Sequence, residues 1–273
     1  MWDDEEDGPE LGAPGQRDPR TDEAKQRLRA LLRLRADEVF YLQQLKVLLE
    51  DEYFHWITDR ALHELLTEGV VVRHRIQLPE GSFVDFYWAR GARYWRRKVD
   101  TLAKLVREYG RADLGLGPHA EMLHTAALAK RRFIPVAENV RELGSHKWKK
   151  TGHNLDRIFE RDGVHYGTEI KNTLAYIGRS ELQTKLEICD ALGLTPLFIV
   201  RMAPKSYIDL VRKRGGFTLV IKWQLYPFGH GELARRVRAQ TGLPTDSPRA
   251  VADGTVERLV KWHSRRISTA RDL

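Results

Sequence analysis

Residues 153–172 constrain the fold more strongly than any other part of the sequence. Residues 154–161 mix apolar and polar positions in the manner of a strand, and the dipeptide Asp162-Gly163 that follows is typical of tight turns. Residues 164–171 then resume an extended pattern. The segment therefore predicts a β-hairpin.

Two acidic residues and a lysine fall on this predicted hairpin. Successive side chains of a strand point to opposite faces, so Glu169 and Lys171 share one face while Ile170 enters the core. Asp156 lies on the partner strand. If the register brings Asp156 beside Glu169, two carboxylates and an ammonium group converge. Neighbouring carboxylates repel each other, and a divalent cation with oxygen ligands would relieve the repulsion.

Asp156 followed by Glu169-Ile170-Lys171 resembles the motif of the PD-(D/E)XK nuclease superfamily, which includes many restriction endonucleases and archaeal Holliday-junction resolvases. Leu155 stands where the proline of the motif would be, a departure that the loosely defined motif tolerates. The resemblance covers roughly residues 118–230. It implies an α/β fold with a restriction-endonuclease-like mixed β-sheet core flanked by helices. The implied activity is that of a magnesium-dependent endodeoxyribonuclease, which hydrolyses phosphodiester bonds.

The resemblance also implies roles for individual residues. Asp156, Glu169 and the backbone carbonyl of Ile170 would hold Mg²⁺ or Mn²⁺, and Lys171 would orient or deprotonate the attacking water. The first helix of such a core often supplies a further acid, and Glu121 in the helix predicted over residues 119–130 has that position.

Glu121 also has a structural interpretation, because an acidic residue in the first turn of a helix interacts favourably with the helix dipole. Glu138, on the strand predicted over residues 133–143, is a rival acid. Both alternatives are left open by the sequence.

The elements that follow Lys171 fit the same interpretation. A helix capped by Ser180 and ending at Gly193 precedes the apolar run of residues 196–201, which is typical of a strand buried on both faces. A helix followed by a buried strand is the order that the superfamily core requires. Gln183 and Lys185 project from this helix, where related nucleases can place a polar residue near the site, but ordinary solvated surface positions are the simpler interpretation of both.

The N-terminal part of the chain predicts a separate domain. Residues 1–20 are acidic and rich in Gly and Pro, which indicates a disordered tail. Residues 21–112 predict three helices, the second over residues 39–50, then a hairpin and a connecting helix. This order is similar to a winged helix-turn-helix, a domain that binds DNA in some proteins and other proteins elsewhere. Residues 113–273 would form the nuclease domain with C-terminal basic helices.

The charge of the chain favours a polyanionic partner. The net charge is +8, but residues 1–10 contain six acidic and no basic residues, so the remainder carries about +14. We expect DNA, double-stranded or branched, as the partner, although a solvated basic surface would look the same. The candidate contacts are Arg60, Arg73, Arg75, Arg96, Arg97, Lys147, Lys149, Lys150 and Gln183.

The remaining composition points to the cytoplasm and the nucleoid. The single cysteine, Cys189, allows no internal disulfide, and no apolar run approaches the roughly 20 residues of a membrane span. We expect no membrane contact. A homodimer is compatible with the resemblance, since nucleases of this class often cut both strands as dimers.

Two other functions stay open. The chain could be a DNA-binding regulator with an inactive nuclease-like core, or an enzyme that cleaves RNA. The sequence contains neither a Gly-x-Ser-x-Gly elbow nor an HExxH metal motif, which argues against a serine hydrolase or a zinc protease. Defence against foreign DNA and DNA repair are both compatible with the predicted activity.

Overall fold

A computed structural model describes residues 18–79 and 81–271. The chain divides into two compact units, the first formed by residues 1–112 with 235–243 and the second by residues 113–234 with 244–273. Most of the predicted acidic tail, residues 1–17, lies outside the described residues. The first helix begins at Arg20.

The first unit combines four helices of its N-terminal segment with a small antiparallel sheet, whose strand order is β1-β3-β2. Its core is built from the apolar faces of α1, α2 and α3, with Leu28, Leu45 and Leu65 fully buried. The elements are α1 (Arg20–Leu34), β1 (Val39–Tyr41), α2 (Leu42–Leu49), α3 (His55–Thr67), β2 (Val71–Gln77), β3 (Phe83–Ala89) and α4 (Trp95–Tyr109).

The prediction of a helix over residues 39–50 is wrong at its start. Residues 39–41 form β1 and pair with residues 86–88 of β3, and only Leu42–Leu49 is helical. Val39, Phe40 and Tyr41 are all buried. β-Branched and aromatic side chains suit a strand better than a helix, and the pairing with β3 decides between the two.

The second unit is a mixed sheet between two layers of helices. The strand order is β10-β9-β8-β7-β4, in which β4, β7 and β8 run antiparallel and β8, β9 and β10 run parallel. The elements are α5 (Leu116–Ala129), β4 (Ile134–Val140), β5 (Glu142–Leu143), β6 (His146–Lys147), β7 (Leu155–Arg161), β8 (Val164–Lys171), α6 (Arg179–Leu192), β9 (Thr195–Val200), α7 (Lys205–Lys213), β10 (Phe217–Val220), β11 (Gln224–Leu225), α8 (Gly231–Thr241), β12 (Thr245–Asp246) and α9 (Asp253–Arg271). The prediction of a mixed α/β architecture is confirmed.

The two faces of this sheet bury different sets of side chains. Leu197 and Ile199 of β9 pack with α5 and α9, whereas Phe198 and Val200 pack with α6 and α7. The alternation along β9 explains why this strand is apolar at nearly every position. Ile170 of β8 belongs to the α5 and α9 side, as the sequence predicted.

The predicted hairpin is present as β7 and β8. Asp162 and Gly163 both have positive φ angles, 51° and 78°, which is the backbone conformation of the two-residue turn that matches strand twist. Glu160 accepts a hydrogen bond of 2.7 Å from the backbone N–H of Gly163 and so closes the turn.

After β9 the large sheet gains one more strand, β10, which ends at Val220. Lys222 then has a φ of 63°, and β11 pairs with β12 instead of continuing in the large sheet. The C-terminal helix begins at Asp253. Within the described residues, no helix is both long enough and apolar enough to cross a membrane.

The division into units also differs from the predicted domains in one segment. Residues 235–243, which the sequence analysis assigned to the second domain, group with the first unit. The side chain of Gln44 donates a 2.9 Å hydrogen bond to the carbonyl of Thr241, and Arg236 pairs with Glu108. These polar contacts, and the burial of Val237, hold the segment there.

The packing of β8 against α6 gives a test of the fold. A Cβ atom added at Gly167 would lie 2.8 Å from both Cys189 Sγ and Leu155 Cδ1. We expect Gly167→Ala to lower the free energy of unfolding by about 1–3 kcal/mol, because overpacking forces neighbouring side chains to move. Urea denaturation measures the change. Gly152→Ala is the matched control, since a Cβ there meets open space. Equal stability of the two variants would contradict this packing.

Candidate active site

One hydrogen bond joins the two strands of the hairpin at its open end. Asp156 Oδ2 accepts a 2.7 Å hydrogen bond from the backbone N–H of Ile170. The last regular pair of the β7–β8 ladder is Arg157 with Thr168, so Asp156 and Glu169 are the next two residues outward. The Asp156 side chain therefore takes the place of a ladder acceptor. It is fixed against the strand that carries Glu169 and Lys171.

The backbone carbonyl of Ile170 lies on the same edge of β8. In an antiparallel ladder the N–H and C=O groups of one residue face the same partner strand. Because the N–H of Ile170 is directed at Asp156, its carbonyl is also directed towards the β7 side. Asp156 and the Ile170 carbonyl thus lie on one edge of β8, while the Glu169 side chain projects from a face of the sheet towards α6.

Glu169 is the most deeply buried acid of the site. Its side chain is 1% exposed, with Oε1 3.2 Å from Lys171 Nζ and Oε2 2.6 Å from Lys185 Nζ. Burial raises the pKa of the Glu169 carboxyl, and the negative charge of Asp156 raises it further, against the opposing effects of the two lysines. The carboxyl group therefore holds its proton more tightly than an exposed glutamate.

Lys171 stands between two carboxylates. Its Nζ lies 3.2 Å from Glu169 Oε1 and 2.7 Å from Glu181 Oε1. Burial by itself would lower the pKa of Lys171, but Glu169 and Glu181 outweigh that effect and raise the pKa above the usual value. Lys171 is therefore a firmly charged ammonium group and a hydrogen-bond donor.

Glu121 approaches the site from α5. Burial raises its pKa, and the charge of Asp156 adds to the rise, while Arg157 opposes it from 3.9 Å. Asp156 thus influences Glu121 as well as Glu169. The rival acid Glu138 shares Arg157 with Glu121, at 3.1 Å, and its charge also raises the pKa of Glu121, but its own side chain is 65% exposed.

The donor set suits a hard divalent cation. Mg²⁺ and Mn²⁺ prefer oxygen ligands, which the carboxylates of Asp156 and Glu169 and the carbonyl of Ile170 provide. Glu169 Oε2 is buried and receives no well-oriented hydrogen bond, although the Lys185 ammonium group is close to it. In the described parts of the chain, no three His, Cys, Asp or Glu side chains are grouped so that they could hold a metal ion by themselves.

Two residues of the site belong to α6. Glu181 and Lys185 are four positions apart and therefore lie on one side of the helix, where Glu181 reaches Lys171 and Lys185 reaches Glu169. The sequence analysis named Lys185 without assigning it to the site and did not consider Glu181. Their spacing is the signal that could have identified them. Gln183, which was predicted to contact nucleic acid, is exposed on the same helix.

Most predicted nucleic-acid contacts already have an acidic or aromatic neighbour within the protein. Arg75 makes two hydrogen bonds to Asp85, of 2.7 and 2.6 Å. The other pairs are Arg60 with Glu64 at 3.9 Å, Lys147 with Glu142 at 2.5 Å, Lys150 with Glu187 at 3.1 Å, and Arg96 over the Trp95 ring at 4.7 Å. Arg73, Arg97 and Lys149 are exposed. The single-contact surface pairs are weak and can exchange partners with phosphate, whereas the two-bond pair of Arg75 with Asp85 is held more firmly.

Comparisons with models of known protein families, with curated proteins and with solved structures found no match. The geometry of the hairpin and of α6 is therefore the basis for the function proposed below.

The raised pKa of Glu121 predicts a pH-dependent stability. A carboxyl group with a raised pKa contributes stability that is fully present below its unfolded pKa of about 4.3 and is lost as the pH rises through the folded pKa. We therefore expect Glu121→Gln to have a higher melting temperature than the wild type at about pH 7 in EDTA. The difference should vanish below about pH 4, where both side chains are neutral.

Thermal unfolding followed by circular dichroism across this pH range measures the effect. Glu187→Gln serves as the control, because that carboxylate is half-exposed and pairs with Lys150 at 3.1 Å, so no comparable gain is expected. A Glu121→Gln protein that is less stable than the wild type at neutral pH would contradict the assignment of an unfavourable buried charge.

Proposed function

We propose that the protein is a metal-dependent DNA endonuclease. The hydrogen bond from the Ile170 N–H to Asp156 carries this proposal, since it holds one acid of the motif against the strand that bears the other acid and the lysine. Burial of Glu169 and its proximity to Lys171 support the same interpretation. Acids whose pKa is raised by burial and by a neighbouring charge, and which lie close to a lysine, are found at many functional sites.

Asp156, Glu169 and the carbonyl of Ile170 are the groups that would hold Mg²⁺ or Mn²⁺, with Glu121 as a further acid nearby. Such a cation lowers the pKa of a bound water and offsets negative charge on the phosphate. The two carboxylates supply the negative charge that attracts the cation, and the hydrogen bond at Asp156 limits the movement of that side chain.

Lys171 would stabilise the negative charge that develops on the scissile phosphate. Its raised pKa favours the donor role over the role of general base, because the neutral amine is scarce near neutral pH. Glu181 and Glu169 hold its ammonium group in place. Removal of a donor of this kind from an active site typically lowers the rate by about 10²–10³-fold.

The first unit would supply part of the DNA contact. Its order of helix, strand, two helices and hairpin, with the sheet order β1-β3-β2, supports the winged helix-turn-helix interpretation. In that arrangement α3 enters the major groove and the β2–β3 hairpin follows the phosphate backbone. Arg60 lies on α3, and Arg73 and Arg75 lie on β2.

A second candidate function is a DNA-binding regulator without catalytic activity. The observation in its favour is that Glu169 already has two ammonium partners, an arrangement that also satisfies a purely structural ion network. Incubation of supercoiled plasmid with Mg²⁺ or with EDTA separates the two functions. Nicking that depends on Mg²⁺ supports the nuclease, and binding without nicking supports the regulator.

We expect Asp156→Ala and Lys171→Ala each to lower the rate of DNA cleavage by about 10²-fold or more, while DNA affinity stays near that of the wild type. The reason is that both side chains act at the scissile phosphate and not along the bound duplex. Plasmid cleavage and fluorescence anisotropy measure the two properties.

Asp209→Ala is the matched control, since this half-exposed acid on α7 pairs locally with Arg212 at 3.0 Å. A panel of linear, branched and single-stranded DNA and of RNA should identify the substrate. A double variant of Asp156 and Lys171 that cleaves as fast as the wild type would refute the site.

We further expect Arg97→Gln to weaken DNA binding and to reduce the slope of log affinity against log salt by about 0.9, the value for one phosphate contact. Arg97 is exposed near the start of α4. Arg33→Gln is the control, because Arg33 is an equally exposed arginine on α1 of the same unit. Identical salt slopes for the two variants would contradict a contact between Arg97 of α4 and a DNA phosphate.

A further inference from the structure

Lys185 is a buried lysine whose ammonium group is directed into the candidate site. Its side chain is 5% exposed. The ammonium group donates a 2.6 Å hydrogen bond to the carbonyl of Asn154 and lies 2.6 Å from Glu169 Oε2. A lysine is rarely buried to this degree unless it is paired.

The two lysines of the site differ in their carboxylate partners. Lys171 lies near both Glu169 and Glu181, so it has a second carboxylate to pair with when Glu169 is engaged elsewhere. The carboxylate that lies within ion-pair distance of Lys185 is Glu169. The pair of Lys185 and Glu169 therefore forms a locally neutral, buried unit.

On this basis we propose that Lys185 is the resident counterion of Glu169 in the metal-free protein. Its ammonium group occupies the position beside Oε2 that a divalent metal would take, and it moves away when the metal binds. The inference rests on the proposed nuclease function and concerns how the same site takes up its metal. Lys185 stabilises the metal-free protein, since a buried carboxylate without a cation is costly.

The competition follows from charge and space. An ammonium group 2.6 Å from Oε2 repels a second cation at that oxygen, because both carry positive charge. On this proposal metal binding displaces Lys185, and the free energy of the Lys185 contact is subtracted from the affinity for the metal. The backbone carbonyl of Asn154 remains as a hydrogen-bond acceptor for the displaced ammonium group.

The test compares Mn²⁺ binding to the wild type, Lys185→Met and Lys185→Arg by isothermal titration calorimetry, with Asp156→Ala identifying the site. We expect Lys185→Met to bind Mn²⁺ about tenfold more tightly than the wild type, a typical size for coupling between two sites. Its melting temperature in EDTA should fall, and saturating Mn²⁺ should restore it. Lys185→Arg keeps the positive charge and should bind Mn²⁺ like the wild type.

The outcomes separate this inference from the proposed function. If the wild type binds Mn²⁺ in a manner that depends on Asp156 but Lys185→Met binds it equally or more weakly, the counterion role is overturned and the metal site stands. If the wild type and Asp156→Ala bind Mn²⁺ equally, both the metal site and the counterion role are overturned.

A second measurement uses the unaltered protein and covers the case in which Lys185→Met does not fold. The side-chain ammonium resonances of ¹⁵N-lysine-labelled protein are followed by NMR during titration with Mg²⁺, and Lys185→Arg assigns the Lys185 signal. We expect the Lys185 signal to shift as Mg²⁺ saturates the wild type and to stay in place in Asp156→Ala. A Lys185 signal that does not move at saturating Mg²⁺ overturns the proposal.

Discussion

The hydrogen bond between the Asp156 carboxylate and the Ile170 N–H is the interaction on which the candidate site depends. It replaces a ladder bond at the place where β7 and β8 separate, so a charged side chain accepts the hydrogen bond that a backbone carbonyl would otherwise accept. A charge-assisted hydrogen bond of this kind is shorter and stronger than a neutral one. As a result, two acids that repel each other are kept at adjacent positions by the fold of the hairpin itself.

This repulsion is balanced by lysines from two different elements. Lys171 comes from β8 and Lys185 from α6, and both lie within ion-pair distance of Glu169. Each buried charge carries a desolvation penalty that only a nearby opposite charge can offset. The packing of α6 against the sheet therefore supplies charged partners as well as apolar contacts. It places Lys185 beside Glu169 and Glu181 beside Lys171.

A second set of buried polar groups holds the chain where it leaves β8. The guanidinium group of Arg201 donates to the carbonyls of Thr173 and Leu174, at 3.1 and 2.7 Å. The Asn172 side chain donates to the carbonyls of Leu116 and Leu225 and accepts from the N–H of Leu225. Satisfied buried groups of this kind fix a loop firmly, because breaking any bond leaves an unpaired polar atom in the core. This fixed segment leads along the chain to α6, which begins at Arg179.

Much of this arrangement could be predicted from local sequence. The Asp162-Gly163 turn, the bounds of β8 and the buried character of β9 follow from turn chemistry and from the period of apolar residues, and each was predicted to within a residue or two. The boundary after residue 112 lies in residues 110–118, which contain three glycines and a proline. The resemblance of Asp156, Glu169 and Lys171 to a nuclease motif was also visible without coordinates.

Other features were decided only by contacts between residues distant in the chain. The sequence predicts a helix that includes residues 39–41, but these residues form a strand because they pair with β3. Residues 235–243 belong to the first unit because of their contacts with Gln44 and Glu108. The roles of Glu181 and Lys185 were hidden for the same reason, since a charged residue on a helix reads as solvated unless its neighbours are known. Sequence by itself determined the hairpin of β7 and β8 and the buried strand β9, because these depend on neighbouring residues. The tertiary structure decided which charges are buried together, because that depends on how α6 packs against β8.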